Sequence, residues 1–405
     1  MCFNFVAPVR LILPERSVHW LCFSQHSPSS SKMSRTQYFK PASLFLAVVS
    51  LCAVSAHAAS VEPGNRSFAG YKLERAAALP STDTGWDYSS LDEKRGNMFI
   101  GHRKDGIQVF DVRRGVPVKT LKESTGANAT SVAPEFDIGI AGTTDGDVVV
   151  FQLSTLQTLK RYKSTTEGFD GASYEPFSKR FMMIGTPAKG SQVTPVMFFD
   201  AKTGEPAGSI DVQSEKIDPA RSDAAGHIFL PLRDKSAVAR IDVRNMKVDA
   251  TWPMRECLTP SSLAVDPANQ RVFVACRGTD AVAPAMAVLD SNTGAQIAKL
   301  PIGRGTDDMF FDGPRKTIVV VNGDSSMTVI SQRSADDYAL ALSVSTRPTA
   351  RSGAYDYASG RIHLSSAETV TRFDNAGKPK TTFLPNTFRV LTYGRATLNA
   401  GGASE

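Results

Sequence analysis

Seven polar residues recur along this 405-residue chain at intervals of 41 to 48 positions: Asp87, Asn128, Asp170, Asp218, Ser261, Asp308 and Arg351. Four carboxylates, an amide, a hydroxyl and a guanidinium gathered in one place would repel one another, raise some carboxylate pKa values, or hold a cation. The chemistry this set could do is capture of a divalent ion, an amine or a basic partner segment. Arg351 neutralises part of the set and could instead clamp an anionic group. The competing reading gives each Asp a local task, capping a turn by accepting bonds from nearby backbone N–H groups. Asp307 and Asp308 pose the question most sharply, because two adjacent acids directly precede an apolar run expected to lie inside the protein.

What would gather the seven is a repeat. Each lies five residues, or four in the sixth copy, before the end of an expected strand, at Asp92, Ala133, Glu175, Asp223, Asp266, Asp312 and Asp356. These end points are 41, 42, 48, 43, 46 and 44 residues apart. Second strands follow in step as NMFIG, DIGIAG, RFMMIG, HIFLP, RVFVA, TIVVVNG and RIHLSS, apolar on both faces as strands sandwiched between neighbours must be. Third strands such as IQVFDV, VMFFDA and MAVLDS come next, then turns such as AKTG and SNTG whose Gly tolerates positive φ. Four short strands at this period predict an all-β fold, a seven-bladed β-propeller of four-stranded antiparallel blades. The entry to each innermost strand faces the central channel, so the seven polar residues are expected to ring its mouth. In the last copy FRVLTYGR (388 to 395) is a better strand than TVTRFDNAGKPKTTFLP, and YKLERAAALP (71 to 80) precedes the first copy as a fourth strand would. Closure by strands from both termini in one blade follows, leaving no open sheet edge.

The chain from Met33 has basic Arg35 and Lys40, an apolar stretch from Ala42 to Val54 and the sequence Ala56-His57-Ala58, the pattern of a secretory signal peptide over 33–58. Residues 1–32 read as an over-called extension, and 59–405 as one propeller domain, exported to the periplasm or beyond. The apolar stretch is shorter than a membrane-spanning helix requires, and no later segment reaches that length. Cys52 follows the bulky Leu51, which does not suit lipid attachment. Of 46 basic and 40 acidic residues, the first 58 positions hold Arg10, Arg16, Lys32, Arg35, Lys40 and Glu15, so the remainder is 41 against 39. Nucleic-acid binding, which needs clustered uncompensated Lys and Arg, is not expected. Three of five cysteines also leave with the leader; Cys257 and Cys276 remain, an even pair in an oxidising compartment, placed at the start of one strand and the end of its antiparallel neighbour, where a disulfide can close. His102, His227 and His363 fall in three different repeats with no metal-ligand spacing and read as structural, while Asp145 and Asp147 flank Gly146 in an ordinary hairpin. Trp86, beside Asp87, could wall a ligand site but packs between blades on the simpler reading. The G-x-S-x-G, H-E-x-x-H and C-x-x-C patterns are absent, which removes the usual support for serine-nucleophile, zincin and thioredoxin chemistry.

TGWDYSSLD, WPMRECLTPSSLAVDPANQRVFVAC, GTDDMFFD and FRVLTYGR resemble, in the same order, characteristic stretches of the secreted YVTN-repeat, or YncE-like, seven-bladed propellers. The likeness runs over nearly all of the chain after the leader. It departs in ANATSVAPEFDIGIAG of the second repeat, which is less typical, and in the last repeat, which lacks the family's long proline-rich loop. The resemblance implies a periplasmic propeller of the sort credited with ligand, partner or DNA binding, and it carries over no catalytic residue. The expected function is non-enzymatic binding of a small ligand, an ion or a protein partner at the channel mouth by a monomer, without a cofactor beyond a divalent cation. The alternative is a lactonase-like hydrolase whose ring carboxylates and Asn128 hold a metal that polarises a carbonyl and activates water. A scaffold for quinone-dependent electron transfer is a third class, without a covalent attachment or haem signature to support it.

Overall fold

A computed structural model describes residues 68–397, within the unit Pro63–Glu405. The extension assigned to residues 1–32, the signal peptide assigned to 33–58 and the proposed domain start at 59 lie outside the described residues. The described chain is all β. The innermost strands of the seven blades are Trp86–Asp92, Ala127–Ala133, Phe169–Glu175, Arg221–Ser222, Pro260–Asp266, Asp308–Asp312 and Gly353–Asp356, and each heads a four-stranded antiparallel sheet. Blade four opens with a strand of only two residues. Pro219 explains it, since proline has no N–H to give a ladder, and Ile217 pairs with Leu232 only as an isolated bridge on its far side.

Second strands such as Asn97–His102, Arg180–Gly185 and Thr317–Asn322 are buried on both faces, as the unbroken apolar runs require. Their side chains meet those of the adjacent blade. Seven apolar clusters result, one for each pair of neighbours: Phe99 and Val109 pack against Val149 and Phe151 between blades one and two, and Met98 and Phe110 meet Phe388 and Val390 between blades one and seven. The seventh cluster closes the ring.

That closure uses both ends of the domain. Blade seven runs, from the channel outward, Gly353–Asp356, Arg361–Ser366, Arg389–Thr397 and Phe68–Ala78, so its outer strand comes from the N-terminal side and pairs antiparallel with the last strand over Gly70 to Ala78. The stretch TVTRFDNAGKPKTTFLP supplies neither. It forms a separate hairpin, Thr369–Phe373 with Pro379–Phe383, inserted where other blades have a short loop between second and third strands. Its base is pinned by Phe383 against Trp86 (ring centroids 5.1 Å apart). Gly85 permits this, because a Cβ there would come within 2.9 Å of the Phe383 ring.

In blade five Cys257 and Cys276 are disulfide-bonded, with Cα atoms 5.3 Å apart and both side chains buried. The bond ties the approach to the first strand to the mouth end of the second. With a sequence separation of 19, removing it in a Cys257→Ser/Cys276→Ser variant is expected to cost about 3 kcal/mol on the chain-entropy account. Chemical denaturation of the oxidised wild type against the variant checks this, and coincident curves would contradict it.

Candidate functional site

The mouth of the channel is built by local irregularities in the innermost strands. Register shifts fall at Trp86/Ser89, Ala127/Ala129, Phe169/Gly171 and Pro260/Ser262, so Asn128, Asp170 and Ser261 are the extra residues of bulges, and in blade one the bulge takes in Asp87 and Tyr88 together. A bulge leaves its extra residue out of the ladder and re-aims its side chain. In blade six Asp308 pairs with Val321, whose carbonyl also accepts the Asp307 N–H at 3.2 Å, so two acids share one ladder position.

The polar residues engage one another around the axis rather than standing as a bare carboxylate ring. Arg103 donates to Asp87 (3.0 Å) and to Asn128 Oδ1 (2.7 Å), bridging blades one and two. Asn128 Nδ2 in turn donates to the Phe169 carbonyl of blade three at 2.9 Å. Lys216 pairs with Asp170 and approaches Asp218 at 3.7 Å, and Arg233 reaches Asp218 at 3.3 Å. Ser261 donates to the Thr306 carbonyl (2.8 Å), which also accepts from Arg277 Nε (2.9 Å). Arg277 and Arg351 converge on Asp307, the latter at 3.0 Å, and Tyr88 OH donates to the same carboxylate at 3.4 Å. Asp308 lies toward the other end of the channel. Arg221 of blade four reaches it at 2.9 Å, and the N–H groups of Met309 and Gly353 donate to it at 3.0 and 3.4 Å. Arg221, Asp308 and Gly353, with Tyr88, Tyr355 and Tyr357, line a cavity of about 200 Å³.

The seven sequence-derived positions are thus distributed as follows: Asp87, Asn128, Asp218, Ser261 and Asp308 are buried, Asp170 is half-buried and Arg351 is exposed. Turn capping falls chiefly to the strand-end acids. Asp92 accepts from the Arg95 N–H, Glu175 from Phe177 and Ser178, Asp312 from Arg315, and Asp356 from Ala358 and Ser359. Asp307, Tyr88 and the cations Arg103, Lys216, Arg233 and Arg277 were not in the expected set. Three of these carry a readable signal, since Arg103, Arg233 and Arg277 each directly follow a second strand, 15 or 16 residues after Asp87, Asp218 and Ser261. The three histidines stay apart in function: His102 stacks on Phe388, His227 meets Asp223, and His363 bonds Thr392 within blade seven.

Burial dominates the electrostatics. It pushes Asp87 up to about 7, helped by the carboxylates of Asp307 and Asp170 and opposed by Arg103 and Arg351. Asp218 rises to about 6 through burial against the pull of Lys216 and Arg233, and Asp308 rises to about 6 through burial against the pull of Arg221. A divalent ion would need several such acids to converge, and among the described residues no three His, Cys, Asp or Glu side chains do. The acids at the mouth are instead engaged in a belt of ion pairs.

Beside the belt, still on the mouth face, a cavity of about 560 Å³ opens between blades six and seven. Arg277, Arg304 and Arg351 line it, with Trp86 and Phe383 as an aromatic wall and Thr381 on the inserted hairpin. Its floor is the close approach of two turns: Gly305, at φ +67, accepts the Gly323 N–H at 3.0 Å, and a Cβ on Gly323 would come within 2.9 Å of that carbonyl. Trp86 thus does both things considered for it, packing against Phe388 at 4.7 Å and facing the cleft.

The raised Asp87 gives a pH signature. Its folded value lies above the ordinary 3.8, so its contribution to stability is full below about pH 4 and is lost as pH rises toward 7. Asp87→Asn is expected to flatten stability against pH by about 2 kcal/mol between pH 5 and 7.5. Denaturation midpoints across that range check it; parallel profiles for wild type and variant would contradict it.

Comparisons with known proteins bear on the fold. No family model and no curated protein matches the chain. Among solved structures, Kuenenia stuttgartiensis hydrazine synthase is similar at 13% identity and a TM-score of 0.60, over 76% of this chain and 98% of that one. A chain of a structure titled Crystal Structure of Mitotic Checkpoint Complex is similar at 12% identity and a TM-score of 0.61, over 87% and 99%. At such identities the likeness is one of fold, and it agrees with the blades described above: the chain is a seven-bladed β-propeller.

Proposed function

We propose that this chain is an exported binding protein of the YVTN-repeat, YncE-like kind, which holds a small molecule at its mouth face and does not transform it. The observation that carries the reading is the cleft, about 560 Å³ in volume, partly apolar and edged by charged groups. Those are the size and make-up of small-molecule sites. A rigid wheel that presents many loops on one plane suits recognition. One of the fold neighbours comes from an assembly, as its title states, so propellers of this shape also serve in complexes.

Binding suits the mouth acids better than catalysis does. A general base must be free to take a proton from a substrate, whereas Asp87, Asp170, Asp218 and Asp307 each sit against a basic side chain. Export to the periplasm or beyond is supported by the leader-like residues 33–58, and the Cys257–Cys276 bond suits an oxidising compartment. The described residues contain no helix long and apolar enough to cross a membrane. The working unit is proposed to be the monomer.

Native mass spectrometry of the mature protein, with and without a low-molecular-weight extract of its own compartment, tests the reading. A small-molecule adduct is expected on the wild type and not on Thr381→Trp, which fills the cleft from the hairpin side. An adduct equally abundant on both would place binding elsewhere, and no adduct on either would refute the proposal.

A further inference from the structure

The cleft is lopsided in charge. Arg277, Arg304 and Arg351 line it and Asp324 is its one acid. Asp324 is already committed, accepting the backbone N–H of Arg304 at 2.6 Å and the Ser326 hydroxyl at 2.6 Å. Arg277 is likewise held, by Asp307 and the Thr306 carbonyl. Arg304 differs from both. Its backbone is fixed by Asp324 and by the Asp324 N–H donating to its carbonyl at 3.1 Å, yet its guanidinium is exposed and has no side-chain or backbone partner among the described residues. Arg351, with 47% of its side chain exposed, meets Asp307 through Nε at 3.0 Å. A guanidinium is a planar fork matched to carboxylate oxygens. The fold thus fixes the base of one such fork at the rim of a cleft whose other wall, Trp86 with Phe383, is aromatic.

We propose that the cleft takes a small organic acid with a flat apolar body, its carboxylate at Arg304 and Arg351 and its ring against Phe383 and Trp86. The proposal rests on the mouth-face binding reading above and specifies its ligand class. Cationic ligands are disfavoured because they would bring a fourth positive charge among three guanidiniums, with no carboxylate left to receive it. An inorganic anion would use the fork and leave the aromatic wall idle, so the two parts of the site together select a molecule that has both.

Isothermal titration of the mature chain with cinnamate and benzoate, alongside inorganic phosphate, benzylamine and calcium, tests this. The organic acids are expected to bind and the other three to bind at least tenfold more weakly. Arg304→Gln is expected to weaken cinnamate on the order of tenfold, the scale of a hydrogen bond to a charged group, while leaving the melting temperature unchanged because the guanidinium joins nothing in the fold. Phosphate binding as well as cinnamate, preference for benzylamine or calcium, or an Arg304→Gln variant with undiminished cinnamate affinity would each overturn the ligand class. If that happens while the extract-derived adduct is still lost in Thr381→Trp, mouth-face binding stands and only the ligand class falls.

Discussion

Buried carboxylates at the mouth of the channel exist only because basic side chains reach them, and the character of that face follows from this pairing. An acid taken out of water is costly unless it is paired and hydrogen-bonded. Here buried Asp87, Asp218 and Asp307 and half-buried Asp170 each meet at least one Arg or Lys, as does Asp308 farther along the channel, and several of those cations come from a different blade. Arg103 spans blades one and two, Lys216 links the approach to blade four with blade three, and Arg277 joins blade five to blade six. Around the axis the polar belt thus adds inter-blade links to those the apolar clusters make farther out.

The pairing in turn requires a closed ring. Every apolar cluster is shared between two blades, and the seventh forms only because the strand Phe68–Ala78 completes the blade begun by Gly353–Asp356. Closure brings Ser352 of blade seven to the Asp87 carbonyl of blade one, at 3.3 Å, and brings Phe383 and Phe388 onto Trp86. The cleft is a consequence of this seam. One wall is the inserted hairpin that follows the second strand of blade seven, and the floor is the pair of turns at Gly305 and Gly323 in blade six.

Much of this was legible in the residues. Six of the seven strand-end positions lie where the repeat puts them, Asp223 falling one residue past Ser222; so do the doubly apolar second strands, which burial on both faces dictates, and FRVLTYGR and YKLERAAALP share a blade as their positions suggest. The polar mouth was half legible. Asp87, Asn128, Asp170 and Ser261 are marked by their offset because the same bulge recurs in their blades. Arg103, Arg233 and Arg277 obey an equally regular rule, one step past a second strand, but they lie 15 or 16 residues beyond Asp87, Asp218 and Ser261, so tracking the first strands alone makes the mouth look anionic. Asp307 and Asp308 divide between two tasks that adjacency alone does not separate. Arg304 has no repeat partner, and its significance lies in what Asp324 does with its carboxylate, a tertiary fact. The hairpin at 369–383 was readable as strands but not as an insertion, since its register is internal.

The central claim is that ion pairing leaves the mouth face selective for anions rather than for cations. Anomalous diffraction from crystals of the propeller, soaked separately in iodide and in manganese, addresses it directly. The account predicts an iodide peak in the cleft beside Arg304 and Arg351, and no manganese peak among Asp87, Asp170, Asp218 and Asp307. Manganese held by those four carboxylates, with the cleft empty of iodide, would contradict it.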